Sequence, residues 1–195
     1  MNWAALKALT EVHVHRKDLP LDDAQSIMWR QVASDLDVIE NEVFATIPVV
    51  AQPAISATIW MAPLPADFGR LKLSKQGAAY LVPTDLKTLL QPQFMGCYYA
   101  VSGVGIYTRV NAPMLINYGL VPADLADAET NLLLTKYPNV VLYGLLNACS
   151  SIVQDLEAGG DYAGKYAQAI ESANANSSLA RTPAGWGTVN VQGGW

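Results

Sequence analysis

The sequence predicts an α+β fold: an α-helical bundle, made of two N-terminal helices and a C-terminal helical hairpin, with a small antiparallel β-region inserted and an extended C-terminal arm. Three observations predict it. Apolar residues recur at three-and-four spacing near both ends of the chain, the period of a helix with one buried face. Prolines at 48, 53, 63 and 65 cut the middle into short β-rich pieces. The last fifteen residues hold four glycines and a proline and follow neither period. The resulting boundaries are helices within 2–36, a β-region over 42–120 and helices within 130–180. Together these form one domain of residues 1–180, followed by an arm over 181–195.

Each element has its own warrant. Trp3, Leu6, Leu9 and Val12 recur every three residues and predict a first helix over 2–15. The stretch Arg16 to Pro20 is charged and ends in proline, so it breaks that helix. The second helix starts at Asp22 or Asp23, carboxylates suited to a helix N-terminus, and runs towards Leu36. Ala24, Ile27, Met28, Val32 and Leu36 define its apolar face. Short strands are expected at 43–47, 58–60, 71–73, 79–82, 98–101, 105–107 and 114–118. One or two helical turns are expected over 83–90, with Pro83 near their start. Val141, Leu145, Ala148, Ile152 and Leu156 mark a helix over about 137–156, stopped by Gly159 and Gly160. A last helix over about 162–179 carries Tyr162, Tyr166, Ile170 and Ala173 on one face, and the short link makes the two a hairpin.

Composition narrows the function. The chain has 195 residues, a formal net charge of −5 and only 15% charged residues. The basic residues are scattered, which argues against grip on nucleic acid by phosphate neutralisation. A sparsely charged surface fits faces covered by partner subunits. No apolar run reaches the roughly 20 residues that span a bilayer, and no signal peptide opens the chain, so a soluble protein made in a cytoplasm is expected. Cys97 and Cys149 each lie in apolar runs and read as buried free thiols.

Motifs that carry chemistry fall short of complete. On a helix, His13 and His15 point about 200° apart and do not share a metal; on a strand they could, but no acid or cysteine completes a site. Gly103-Val104-Gly105 lacks the third glycine of a dinucleotide loop, because Thr108 stands there, and reads as a tight turn. Ser102 lacks the frame of a hydrolase elbow. Asp35, Asp37, Glu40 and Glu42 form the densest acidic run. Paired carboxylates serve glycosidases, but Leu36, Val38 and Ile39 between them read as packing, and a solvated or channel-facing surface is the simpler reading. No catalytic residue, metal or cofactor is assigned. Trp186 and Trp195 on the glycine-rich tail would gain from burial, so the tail reads as an arm that docks on a neighbour.

Five stretches, in order over roughly residues 10–160, resemble the head-to-tail adaptor proteins of short-tailed bacteriophages and their relatives. His15-Arg16-Lys17-Asp18-Leu19 resembles the family's H-R-x-D-L turn between its first two helices. Leu64-Pro65-Ala66-Asp67-Phe68 resembles L-P-x-D-F. The run from Tyr80 through Pro83 to Leu86 is similar to Y-x-x-P-x-x-L, and Tyr99 to Gly103 to a Y-A-V-x-G hairpin. The fullest match runs from Thr130 to Pro138 and on through Leu142-Tyr143-Gly144-Leu145-Leu146. The family reads T-N-W-L-L-T-x-Y-P and then L-Y-G-A-L; here Leu132 stands in place of the tryptophan. In physical terms Thr130 or Asn131 can cap a short helix, Pro138 can begin the next, and Gly144 lets another backbone approach.

The resemblance implies a structural virion protein at the head–tail junction. It would form a ring, of twelve copies in the family pattern, between the portal protein and the tail nozzle or tail tube. The ring would seal and extend a channel through which DNA passes without specific binding. Leu64, Pro65, Asp67, Phe68, Asn131, Tyr137, Pro138, Tyr143 and Gly144 would be architectural. Arg181, Trp186, Val189, Val191 and Trp195 on the arm would contact the portal. Other connector pieces, such as a head-completion stopper or a tail terminator, are alternatives. A tail-associated cell-wall glycosidase using Asp35 to Glu42 is a more distant one, and a small binding protein without an assembly role a third.

Overall fold

A computed structural model describes residues 1–91, 93 and 96–181. The chain is mixed α+β, with six α-helices and two β-sheets among the described residues. It divides into two compact units. Unit 1 comprises Met1–Met28, Asp35–Glu40 and the described residues from Leu125 on; unit 2 comprises Trp29–Ser34 and Asn41–Asp124.

Unit 1 is helical. Helix α1 (Trp3–Val14) starts at Asn2, whose side chain accepts from the Ala5 amide at 3.0 Å. Two further amides of its first turn are satisfied from a distant segment: Trp3 donates to the Glu129 carbonyl and Ala4 to the Asp127 carbonyl. Helix α2 (Leu21–Asp35) opens with Asp22 and Asp23 in its first turn, as expected. Helix α4 (Leu132–Lys136) is capped by Asn131 onto the Leu134 amide at 2.8 Å, and α5 (Pro138–Val153) begins on Pro138. Helix α6 (Leu156–Arg181) packs on α5. Trp3, Leu6, Met28, Val141 and Leu145 are almost completely buried in this unit. At Gly144 a Cβ would stand 3.2 Å from the Tyr166 ring and 3.3 Å from Met28, so the close approach there is by side chains rather than by a backbone.

One expectation about a helix end is corrected. α5 stops at Gln154, in the left-handed conformation at φ 56°, and not at Gly159-Gly160, which lie inside α6. Gln154 and Asp155 both donate to the Ser150 carbonyl. α1 ends the same way, with His15 at φ 54° and both His15 and Arg16 donating to the Glu11 carbonyl. A left-handed residue with two such bonds satisfies orphan carbonyls whether or not the residue is glycine. The apolar face assigned to α2 is also adjusted: Ile27 is exposed, while Trp29 and Ala33 are buried.

Unit 2 is larger in strand content than the small β-region expected. Its strands are β1 (Glu42–Ile47), β2 (Val50–Ala51), β3 (Trp60–Pro63), β4 (Phe68–Gln76), β5 (Ala79–Tyr80), β6 (Val82–Pro83), β7 (Tyr98–Ser102), β8 (Gly105–Thr108) and β9 (Met114–Leu120). They form a four-stranded sheet in the order β1-β9-β4-β5 and a five-stranded sheet in the order β2-β3-β8-β7-β6. All pairings are antiparallel except β6 with β7. Helix α3 (Leu86–Leu89) is capped by Asp85, so Pro83 belongs to a strand and not to a helix start.

The core of unit 2 draws Ile47, Met114, Ile116 and Tyr118 from the first sheet and Ala62 and Ile106 from the second. Along β1 they alternate with exposed Phe44 and Thr46, the period-2 pattern of a strand, whereas on β9 Asn117 and Gly119, on the other face, are buried as well. Buried Thr108 and Gln76 join the two sheets through a 2.9 Å hydrogen bond, and the Gln76 amide donates onward to the carbonyls of Val110 and Ala112. Gly103, at φ 57°, takes the first position of the two-residue turn between β7 and β8, the tight turn its sequence announced.

Candidate docking surface

In unit 1 the start of α5 and the facing side of α6 enclose a groove of about 590 Å³. Lys136, Tyr137, Pro138 and Tyr143, from the fullest motif, line one side; Lys165, Gln168, Ser172 and Asn176 line the other. Lys136 pairs with Glu40 at 2.8 Å, and the Tyr137 hydroxyl donates to the second oxygen of the same carboxylate at 3.1 Å. The Lys136 contact holds the Glu40 carboxyl below the usual carboxylate range. Burial first, and then Glu40, raises the Tyr137 phenol. Lys165 pairs with Asp161 one turn before it. Both lysines of the groove are paired with carboxylates, and its lining mixes polar side chains with Pro138, Val140, Ala169 and Ala173.

The acidic run makes contacts in both units. Asp35 accepts from the Tyr166 hydroxyl at 3.1 Å. The Asp37 amide donates to Asn174, whose side-chain amide returns to the Asp35 carbonyl. Glu40 is tied to Lys136 and Tyr137 in unit 1, while Glu42 lies in unit 2, bridged to Lys72 at 3.2 Å and to Asn117 at 3.0 Å. Asp35, Glu40 and Glu42 each bind side chains from distant parts of the chain. This use was hidden in the sequence because the partners Lys72, Lys136 and Tyr166 lie far along the chain.

The other candidates separate similarly. His13 meets the Tyr143 ring edge-on at 5.9 Å, and no cluster of three or more metal-binding side chains occurs among the described residues. Cys149 is buried and its thiol is pushed up to about 12 by desolvation; Cys97 is exposed, contrary to expectation, and both are free. The exposure of Cys97 follows from its place beside Gly96, just outside β7.

The motif residues take structural parts. Arg16 holds Asp18 through two nitrogens at 3.0 and 2.8 Å and reaches Asp155 at 3.7 Å, so the residues following the left-handed ends of α1 and α5 meet as an ion pair. Asp67 accepts from the Tyr118 hydroxyl at 3.0 Å, and Phe68 stacks on the Tyr118 ring at 5.5 Å. Leu64 packs against the same core, between Pro63 at the end of β3 and Pro65. Leu132, where the motif has tryptophan, is half exposed. Arg181 ends α6, whereas Trp186, Val189, Val191 and Trp195 lie outside the described residues.

The motif residues thus cap helices, form ion pairs and stack rings. The chain matches the SU10 adaptor protein family model over residues 1–191 and belongs to that family, one of phage head-to-tail adaptors. The comparison with curated proteins gave no match.

Proposed function

We propose that this chain is a virion protein forming a ring between the portal and the tail, one that seals and extends the channel through which DNA leaves the head. The observation that carries the reading is the family match over residues 1–191, nearly the whole chain. Residues 1–180 would act as one assembly module and 181–195 as an arm whose Arg181, Trp186, Val189, Val191 and Trp195 contact the portal. Ordering such an arm only on docking costs conformational entropy, and many weak contacts in a ring offset that cost through avidity. The net charge of −5 suits a channel that DNA slides through without being held. The partners would be the portal, other copies of the chain and the tail nozzle or tube. The protein would be made in the host cytoplasm and reside at the head–tail junction.

Native mass spectrometry of the chain mixed with the portal ring from its own genome tests this. A portal ring carrying a full complement of the chain is expected, and twelve is the expected number. A second sample lacking Thr182–Trp195 should keep the same melting temperature and lose the complex. Full-length chain that ignores the portal would favour another connector position, and unchanged loading of the truncated chain would remove the arm from the interface.

A further inference from the structure

The groove between α5 and α6 combines two kinds of lining. Val140 and Ala173 are buried and Tyr143 half-buried, which gives it apolar surface. Gln168, Ser172 and Asn176 are exposed along it, and no hydrogen bond engages their side chains among the described residues. Amide and hydroxyl groups both donate and accept, as a peptide backbone does. The two cations are already engaged, Lys136 by Glu40 at 2.8 Å and Lys165 by Asp161 at 2.7 Å. Such a lining suits an uncharged peptide segment with apolar side chains.

The chain supplies such a segment directly after the helix that forms one wall. α6 carries Gln168, Ser172 and Asn176 four residues apart on one face and ends at Arg181. Residues 182–195 contain no Asp, Glu, Lys or Arg. Their order matters. Thr182-Pro183-Ala184-Gly185 comes first. Proline does not continue a helix, and glycine opens turn conformations closed to other residues. Trp186-Gly187-Thr188-Val189-Asn190-Val191 follows, with Thr188, Val189 and Val191 β-branched and suited to extended chain.

The lengths agree. Asn176 lies five residues before Arg181, about 7.5 Å along the helix. Trp186 lies five residues after Arg181, so a reversal over 182–185 returns it to the level of Asn176. From Asn176 back to Lys165 is eleven residues of α6, about 16 Å. Six residues of extended chain, 186–191, cover about 20 Å and therefore run the length of the groove.

We propose that residues 186–191 fold back along the α6 of their own chain and seat in this groove. The Trp186 indole covers apolar surface at the Asn176 end, and the backbone that follows exchanges hydrogen bonds with Gln168 and Ser172. The occupant is the chain's own segment because a four-residue link holds it at an effective concentration on the order of millimolar, which a second copy in dilute solution does not match. The groove then competes with any partner that takes the same residues, so the arm stays parked until that partner displaces it. The contact stands on the groove and the arm sequence alone; that the displacing partner is the portal rests on the arm reading given above.

Disulfide trapping in the full chain tests it. In a Cys97→Ser background, Ser172→Cys is combined with Gly187→Cys. The control combines Gly187→Cys with Ala167→Cys, an exposed position about 140° round α6 from Ser172. Under mild oxidation of dilute protein, the first pair should close within one chain at least about tenfold faster than the control, giving a monomer on a non-reducing gel. Hydrogen exchange needs no new cysteine: the amides of 186–191 should exchange at least about tenfold more slowly in wild type than in Ser172→Arg, whose side chain fills the groove. Matching circular dichroism establishes that the variants fold. A crosslink between two chains, equal rates for the two pairs, or exchange unaltered by Ser172→Arg would each overturn the proposal. The trapped chain is then mixed with the portal ring before and after reduction, and loading only after reduction is expected. Loading while trapped would overturn the competition between groove and portal. Failure to trap alongside normal loading would sink the groove contact and leave the adaptor reading standing. Trapping as described, with no loading in either redox state, would do the reverse.

Discussion

Gly69 and Gly119 lie where the Ala33 stretch of α2 meets strands β4 and β9. A Cβ on Gly119 would stand 2.8 Å from the Ala33 carbonyl oxygen, and one on Gly69 would stand 2.7 Å from both the Ala33 Cβ and the Gly119 carbonyl oxygen. Backbone cannot swing aside as a side-chain tip can, so an added methyl forces helix from sheet. Gly119→Ala should therefore destabilise unit 2 by about 1–3 kcal/mol, read as a lower denaturation midpoint with an unchanged slope. A midpoint equal to wild type would show that the sheet yields there at no cost. Nothing in the sequence marked these two glycines. Their neighbour Ala33 is 36 residues from Gly69 and 86 from Gly119, and the pairing of β4 with β9 together with the approach of α2 brings the three together.

Among the elements, α1, α2, α4 and α5 were legible because their signals are local: apolar periodicity, Asp22-Asp23 at a helix start, Asn131 as a cap and Pro138 as a first residue. The seven expected strands were all found near their expected places, and two short ones were added, β2 and the β6 that splits from β5. Their division into two sheets was not legible, since pairing partners such as β1 and β9 lie some seventy residues apart. Within the candidate site, the motif's caps could be read in advance, whereas the carboxylate partners of Tyr137 and Tyr166 could not. The end of α5 was misplaced because Gly159-Gly160 is the stronger local stop signal, yet the chain turns at Gln154. A non-glycine residue in that conformation is strained by roughly 1–2 kcal/mol, and glycine recovers part of this against its greater freedom when unfolded. Gln154→Gly should thus raise stability by about 0.5–1 kcal/mol, seen as a higher melting temperature. A drop would mean that the Gln154 side chain supports the turn.

Across the whole molecule, the resolved shifts in ionisation define how stability depends on pH. Asp22 is held below its ordinary range by the Trp3 indole N–H, with Lys7 adding to the effect, and Glu40 by Lys136. Carboxyls depressed in the folded state add stability that is fully present above their unfolded values near 4 and is lost as pH falls through the lower, folded values. Tyr166, Tyr118 and Tyr137 are all raised, burial being the first cause in each. Phenols raised by folding contribute stability that is intact below about pH 10 and is lost as pH climbs towards their folded values. Melting temperature plotted against pH should therefore be flat from about pH 5 to 9 and fall on both sides. Asp22→Asn should lower the plateau and soften the acid limb while leaving the alkaline limb in place. An acid limb unchanged by that substitution would show that Asp22 contributes nothing to it.

The closure of unit 1 by segments from opposite ends of the chain sets an order in time. The Trp3 and Ala4 amides wait for the carbonyls of Glu129 and Asp127, and the Met1 carbonyl waits for the Thr130 hydroxyl. On a ribosome, the stretch 41–124 emerges with its strand partners already made. The first helix, synthesised before it, must stay exposed until nearly two thirds of the chain has been translated. During that interval Trp3 and Leu6, fully buried at the end, offer chaperones an apolar target. A message broken after residue 124 would release a chain with a closable sheet unit and an orphaned helix, the kind of product that quality control removes before it reaches an assembling particle.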